Sequence, residues 1–176
     1  MLFKNLFKKK KELSCEEFGK DYLGQWLLTS AKSCPDLFDE LGVEMTHLRY
    51  FYYLAYHLFL SKKILSQRYS DIQVGRIIFG ASCGIIDYMD TRIVSADKKD
   101  DAKSLFWSMY DDTKVHGEEI CNDIGSKDGL KNLSKSFLED CGLQNGFLEN
   151  LAVFTLFSGF IIHHTSDILT DKIELF

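Results

Sequence analysis

The stretch Glu44–Leu65, EMTHLRYFYYLAYHLFLSKKIL, decides the fold class of this chain of 176 residues. When it is drawn as a helix, aromatic and aliphatic side chains such as Tyr50, Phe51 and Phe59 occupy most of the circumference. A helix that is apolar on most sides is typical of the centre of a bundle, since a surface helix has one polar face. We therefore expect a central helix here, with other helices packed around it.

Further helices are predicted on both sides of this stretch, where proline is nearly absent. The single proline, Pro35, follows Ser33 and Cys34 at a position typical of a first helical turn, where its missing amide hydrogen costs nothing. Apolar spacing of three and four residues predicts helices at about 15–31, 35–42, 71–93, 97–124, 129–140 and 146 into the 170s. We predict an all-α, single-domain bundle of about five long helices and one or two short ones.

Local motifs mark two helix starts and one helix crossing. Ser14 with Glu17, and Ser70 with Gln73, have the spacing of a capping box, in which two side chains satisfy free amides of the first turn. Gly80 and Gly84 lie four residues apart in the same predicted helix. Because glycine lacks a side chain, we expect another helix backbone to cross there.

Charge is divided unevenly along the chain, whose formal net charge is −5. Residues 1–12 hold five lysines and one glutamate, a balance of +4, so residues 13–176 carry −9. A nucleic-acid surface needs clustered lysine and arginine side chains to neutralise phosphates. We therefore expect a basic tail, residues 1–12, and one acidic helical domain, residues 13–176, that does not bind nucleic acid.

The tail has an amphipathic pattern of its own. Four apolar residues would share one side of a helix and four consecutive lysines follow them: Leu2, Phe3, Leu6, Phe7, Lys8, Lys9, Lys10 and Lys11. This pattern is typical of an interfacial membrane anchor or of a helix that docks on an acidic partner. A frayed tail, or one folded on its own acidic domain, is the alternative, because three helical turns are marginally stable alone.

Cysteine use and the lengths of the apolar runs favour a cytoplasmic protein. The five cysteines are an odd number without a CxxC pair, which argues against a disulfide framework. The longest apolar runs, Ile77–Ile86 and Leu151–Ile162, are shorter than the ~18 residues of a membrane-spanning helix and have the length of buried core helices. In the last helix we expect the core-facing stripe Phe147, Leu151, Phe154, Ser158, Ile161 and Ile168.

Three histidines each lie one helical turn from an acidic residue. The pairs are Glu44 with His47, Asp112 with His116, and His163 with Asp167. An adjacent carboxylate orients an imidazole and favours its protonated or metal-bound form. Only the first pair has the Glu-x-x-His order of ferritin-like di-metal sites, so that pattern is half met. The alternative is that these histidines are hydrogen-bonded in the core or at its rim.

The tyrosines of the central stretch are a second candidate site. Tyr50, Tyr53 and Tyr56, together with Tyr52, span so much of the circumference that we expect some of the hydroxyl groups at the surface. An exposed aromatic face would bind another protein, because tyrosine is favoured at interface hot spots. The alternative is that these side chains line a hydrated boundary of the core.

No catalytic motif accompanies these features. The chain has no phosphate-binding GxxxxGK[ST] loop and no HExxH pair. Residues Gly80–Gly84, GASCG, have the spacing of GxSxG, but they lie inside a predicted helix and not at the strand-to-helix turn of a nucleophile elbow. We predict a cytoplasmic protein without a cofactor that binds another macromolecule or itself, as an adaptor, regulator or inhibitor, and not an enzyme. The alternatives are a metal- or small-molecule-binding bundle, with enzymatic activity in one version, that uses the histidine–acid pairs, and a peripheral membrane protein that docks through residues 1–11.

Overall fold

The computed structural model describes the backbone of residues 13–91 and 93–170, and their side chains as far as His164. This part of the chain is an all-α bundle without a β-strand, as predicted. Its elements are α1 Cys15–Phe18, a π-helical segment Gly19–Gly24, α2 Gln25–Ser30, a 3₁₀ turn Ala31–Ser33, α3 Cys34–Glu40, α4 His47–Leu65, α5 Asp71–Tyr88, a 3₁₀ turn Ala96–Lys98, α6 Lys99–Ile120, α7 Lys127–Asp140 and α8 Phe147–Thr170. The tail 1–12 lies outside the described residues.

The helix starts agree closely with the local motifs. Both predicted capping boxes are present, at Ser14 with Glu17 and at Ser70 with Gln73. Pro35 lies in the first turn of α3. The helix ends agree less well: α5 stops at Tyr88 instead of near residue 93, because Met89 leaves the helix with an extended backbone (φ −61°, ψ 140°).

Helix α4 is the centre of the bundle and packs against α2, α5, α6, α7 and α8. Its buried side chains lie on all sides, from Tyr50 to Leu65. This confirms the central position that the aromatic stretch predicts. It also places Tyr50, Tyr53 and Tyr56 inside the core.

A glycine-lined crossing joins the first helical segment to α5. A Cβ atom on Gly80 or Gly84 would collide with the carbonyl oxygens of Glu16 and Lys20, and one on Gly19 would collide with that of Ile77. The two backbones are therefore in direct contact, as the spacing of Gly80 and Gly84 predicts. An ion-pair cluster lies beside the crossing, where Asp87 accepts from Lys20 at 2.7 Å and from Lys103 at 2.8 Å.

The five cysteines are free thiols. Four of them are buried at helix ends or beginnings: Cys15 begins α1, Cys34 begins α3, Cys121 follows α6 and Cys141 follows α7. Cys83, within α5, is half-buried. The four buried thiols fill core positions as small apolar groups.

Candidate interaction surface

Helix α8 packs on the bundle along one side, where a buried stripe is flanked by the partly buried Ala152, Phe154, Leu156 and Ile161. Of its first eighteen residues, four are buried: Val153, Phe157, Phe160 and His164. They recur at helical spacing and face α4 and α7. The stripe predicted from the sequence is correct at Phe154 and Ile161, which pack against the core. It is wrong at Phe147 and Leu151, which point to solvent with exposed fractions of 81% and 49%.

The opposite side of α8 is apolar and exposed. Leu148 is 73% exposed and Ile162 is 69% exposed, and Leu151, Thr155 and Gly159 continue the same line between them. The spacing of three and four residues resembles a coiled-coil seam, the pattern of a helix that packs on another helix. We call Leu148, Leu151, Thr155, Gly159 and Ile162 the α8 surface.

The α8 surface carries almost no unsatisfied polarity. The Thr155 hydroxyl donates to the carbonyl oxygen of Leu151, and the adjacent Ser158 hydroxyl donates to that of Phe154, both at 2.8 Å. Between Asn150 and Ile162 the sequence has no charged residue. Burial of a polar group costs free energy when the group has no hydrogen-bond partner. Covering this face would leave both hydroxyl groups with their partners, so it would not carry that cost.

Residues Phe147–His164 also satisfy, in length and composition alone, the requirements of a membrane-crossing helix. Core helices of soluble proteins commonly satisfy the same requirements. In the described structure one stripe of this helix packs into the bundle and the α8 surface does not. The expectation that the apolar run 151–162 forms a buried core helix is therefore only half correct.

The structure does not bring the predicted histidine–acid pairs together. Glu44, His47, Asp112, His116 and His163 are all exposed, and the side chain of Asp167 lies outside the described residues. No group of three or more histidine, cysteine, aspartate or glutamate side chains within the described part is arranged to hold a metal ion. Of the three pairs, Asp112 and His116 share one described helix, α6, and both point to solvent, while Glu44 precedes the first residue of α4.

The predicted aromatic face on α4 is wrong because its tyrosines are buried, whereas the histidine–acid pairs are exposed. Neighbouring helices surround α4, so Tyr50, Tyr53 and Tyr56 are less than one-tenth exposed. The hydroxyl of Tyr56 lies 2.7 Å from Oδ2 of Asp140 and 2.8 Å from Oγ of Ser136. Burial raises the pKa of Tyr56 and that of Asp140. These polar groups join α4 to α7 at the edge of the core, where Asp140 itself is exposed.

Two buried histidines that sequence reasoning did not single out as a pair lie between α4 and α8. The Nδ1–H of His57 donates to the carbonyl oxygen of Tyr53 at 2.7 Å, while His164 stacks on Trp26 with ring centroids 4.1 Å apart. Phe160 contacts both imidazole rings. Among the described residues, neither ring nitrogen of His164 has a hydrogen-bond partner. Burial lowers the pKa of His57 to about 4 and, with a smaller contribution from His57, that of His164 to about 3.

A cavity of about 460 Å³ opens between α4, α5 and α6. Ile78, Phe79, Trp107 and Tyr110 form much of its wall, and Lys62, Lys114 and Asp71 add charge. Trp107 and Phe79 are in edge-to-face contact with centroids 5.9 Å apart. The volume lies within the range of small-molecule sites, about 300–1,000 Å³.

Outside the cavity, nearby carboxylates reduce its positive charge. Lys62 and Lys63 share the single carboxylate of Glu118, so this group keeps one net positive charge. Lys114 lies 3.3 Å from Asp111, and both side chains are more than one-third exposed. An exposed pair of this kind is weak enough for a bound anion to compete with it.

Comparisons with protein-family models, with curated proteins and with solved structures found no match for this chain.

Proposed function

We propose that this protein acts by binding another protein chain through the α8 surface, and that one such partner is a second copy of itself. This role is of the adaptor or regulator type and requires no chemistry at the surface. The observation that carries it is a long, uncharged, outward line of apolar side chains on a helix whose other side is already packed. Exposed apolar patches on soluble proteins often mark such interfaces.

Two further properties of α8 support the proposal. The hydroxyl groups of Thr155 and Ser158 are satisfied within the helix, so a partner would not have to supply hydrogen bonds. The domain around α8 is acidic, but the surface itself holds no charged side chain from Asn150 to Ile162. Two copies can therefore meet there without placing like charges in contact.

The test is self-association of the purified full chain, measured by sedimentation velocity from about 10 μM to about 1 mM, the range of weak complexes. We expect the mass to rise from 20.3 kDa toward that of a dimer as concentration increases. Leu151→Glu should hold the protein monomeric, because it buries a charge in the interface. Leu105→Glu is the matched control, since Leu105 on α6 is 50% exposed against 49% for Leu151.

Equal loss of association in both leucine variants would contradict the proposal, because it would show that any added charge has the same effect. A strictly monomeric wild-type chain over the whole range would refute self-association. A third outcome would assign the α8 surface to a membrane instead. In it, the wild-type chain forms no dimer but binds anionic phosphatidylserine vesicles, and Leu151→Glu abolishes that binding.

A second candidate function, binding of a small aromatic anion, follows from the cavity between α4, α5 and α6. Trp107 and Phe79 offer ring faces or edges for stacking, and the ammonium groups of Lys62 and Lys114 can pair with a negative charge. This replaces the histidine–acid pairs as the small-molecule site, because those pairs lie apart on the surface.

The probe for this second function is naphthalene-1-sulfonate, titrated into the protein in a calorimeter. Gly75 lines the cavity and has open space where a Cβ atom would be, so Gly75→Leu should fill the site without a clash. We expect that variant to lose binding, while Gly75→Ala keeps it. Absence of binding by the wild-type chain, or equal binding by Gly75→Leu, would refute the site.

A further inference from the structure

The α8 surface is symmetric about Thr155. Leu148 and Ile162 lie seven residues before and after Thr155, and Leu151 and Gly159 lie four residues before and after it. If a second α8 runs in the opposite direction with a two-fold axis at Thr155, each residue of the surface meets another member of the same set. This property is what a two-fold homodimer requires, because both copies present the same patch.

The side-chain sizes are complementary in this arrangement. Leu151 of one copy meets Gly159 of the other, so a large side chain faces a position without one. No atom of the described chain lies within 4 Å of the place where a Cβ atom of Gly159 would stand. The gap at Gly159 is therefore open on the outside of the monomer, where a leucine from another copy can enter it.

The helix dipoles also favour the antiparallel direction. Antiparallel pairing places the first turn of one α8 beside the later turns of the other, so the two helix dipoles oppose each other. Thr155 adds only its methyl group to the axis, because its hydroxyl donates to Leu151 in its own helix.

The size of the surface indicates a weak complex. The α8 surface runs from Leu148 to Ile162, which at 1.5 Å per residue is ~22 Å long and ~10 Å wide, a contact of about 220 Å² per copy. Two such faces bury roughly 450 Å², well below the roughly 1,200–2,000 Å² of a stable specific complex. The dimer should therefore be weak, with a dissociation constant of about 1 mM or somewhat less, and form reversibly.

We infer that two copies of this chain pair through antiparallel α8 helices about a two-fold axis at Thr155, with Leu151 of each copy packed on Gly159 of the other. This inference rests on the proposed function and specifies its partner and geometry.

The first test exchanges the large and the small side chain. Gly159→Leu alone should weaken dimerisation at least about tenfold, because it closes the gap that receives Leu151. Combining it with Leu151→Ala should restore the dissociation constant to within about threefold of wild type, since the introduced leucine then packs on alanine. A Cβ atom at Gly159 meets no atom of the described chain and leucine improves helix propensity, so we expect Gly159→Leu to fold, which its urea denaturation checks.

The second test is cross-linking by oxidation in a Cys83→Ser background, which leaves the four buried thiols. Thr155→Cys should form a disulfide-linked dimer, because the axis brings this position close to itself. Ile162→Cys should not, yet an equal mixture of Leu148→Cys and Ile162→Cys chains should form the mixed dimer.

Self-linking of Ile162→Cys, or a double variant that stays as weak as Gly159→Leu, would overturn the antiparallel geometry. In that outcome the proposed function still stands if Leu151→Glu abolishes association. If neither Leu151→Glu nor Gly159→Leu weakened association, both the proposed function and the antiparallel geometry would be refuted.

Discussion

His164 and His57 show how single buried residues couple this fold to pH. Both imidazoles are neutral in the folded protein at pH 7, because burial holds the pKa of His57 at about 4 and that of His164 at about 3. In the unfolded chain the pKa of histidine is ~6.5. Between these values the unfolded state binds more protons than the folded state, so stability decreases as the pH falls.

We predict that each histidine costs about 2 kcal/mol of unfolding free energy on going from pH 8 to pH 5, and that nothing is lost above pH 7. His164→Phe should remove its share of this acid sensitivity. It should preserve or raise stability at pH 8, because the ring nitrogens have no hydrogen-bond partner in the described part of the chain. Urea denaturation at pH 5 and pH 8 measures both effects. If His164→Phe left the change in unfolding free energy between pH 5 and pH 8 unaltered, His164 would not be a source of the acid sensitivity.

At the scale of elements, the crossing of α5 over the first helical segment is the tightest contact described. Gly80 and Gly84 allow the backbone of α5 to touch the carbonyl oxygens of Glu16 and Lys20. Asp87 fixes the same region, since its pairs with Lys103 and Lys20 outweigh burial and lower its pKa. The crossing therefore depends both on the lack of a side chain at Gly80 and Gly84 and on the ion pairs of Asp87.

We expect Gly84→Ala to destabilise the protein by about 3 kcal/mol, because the added methyl group must push two backbones apart. Gly75→Ala lies in the same helix but points into open space, so it should stabilise by about 0.5–1 kcal/mol through helix propensity. Chemical denaturation of both variants measures the difference. If the two substitutions changed the free energy of unfolding by the same amount, Gly84 would not be required for the close contact between the two backbones.

The element-scale features that were predictable depend on residues close together in the chain. The capping boxes need two residues three apart, and the crossing needs Gly80 and Gly84 four apart, so neither requires knowledge of the neighbours. The end of α5 was missed, because Tyr88–Val94 offers no glycine or proline as a stop signal.

At the scale of the whole molecule, the sequence could not determine which apolar stripe of α8 faces the core. The stripe through Val153 and Phe157 and the stripe through Leu148 and Leu151 are both apolar, and only the packing against α4 and α7 distinguishes them. The same limit explains the tyrosines of α4 and the exposed His116, because spacing defines a helical face but not its neighbour.

The net charge of −5 gives a prediction about association. Two copies repel each other over distances that salt screens, while the α8 surface itself is uncharged. Raising sodium chloride from about 50 mM to about 500 mM should therefore strengthen the dimer a few-fold. Sedimentation at the two salt concentrations measures the change. Weakening by salt would instead indicate that lysines of one copy pair with the acidic domain of the other.

The four buried cysteines make local opening of this bundle measurable without any added probe site. Each lies where a different helix begins or ends, at Cys15, Cys34, Cys121 and Cys141. A thiol reagent can reach such a group only after that junction opens, so its labelling rate under native conditions reports the free energy of that opening. Mass spectrometry of the labelled peptides would resolve whether the junctions open separately or only when the entire bundle unfolds.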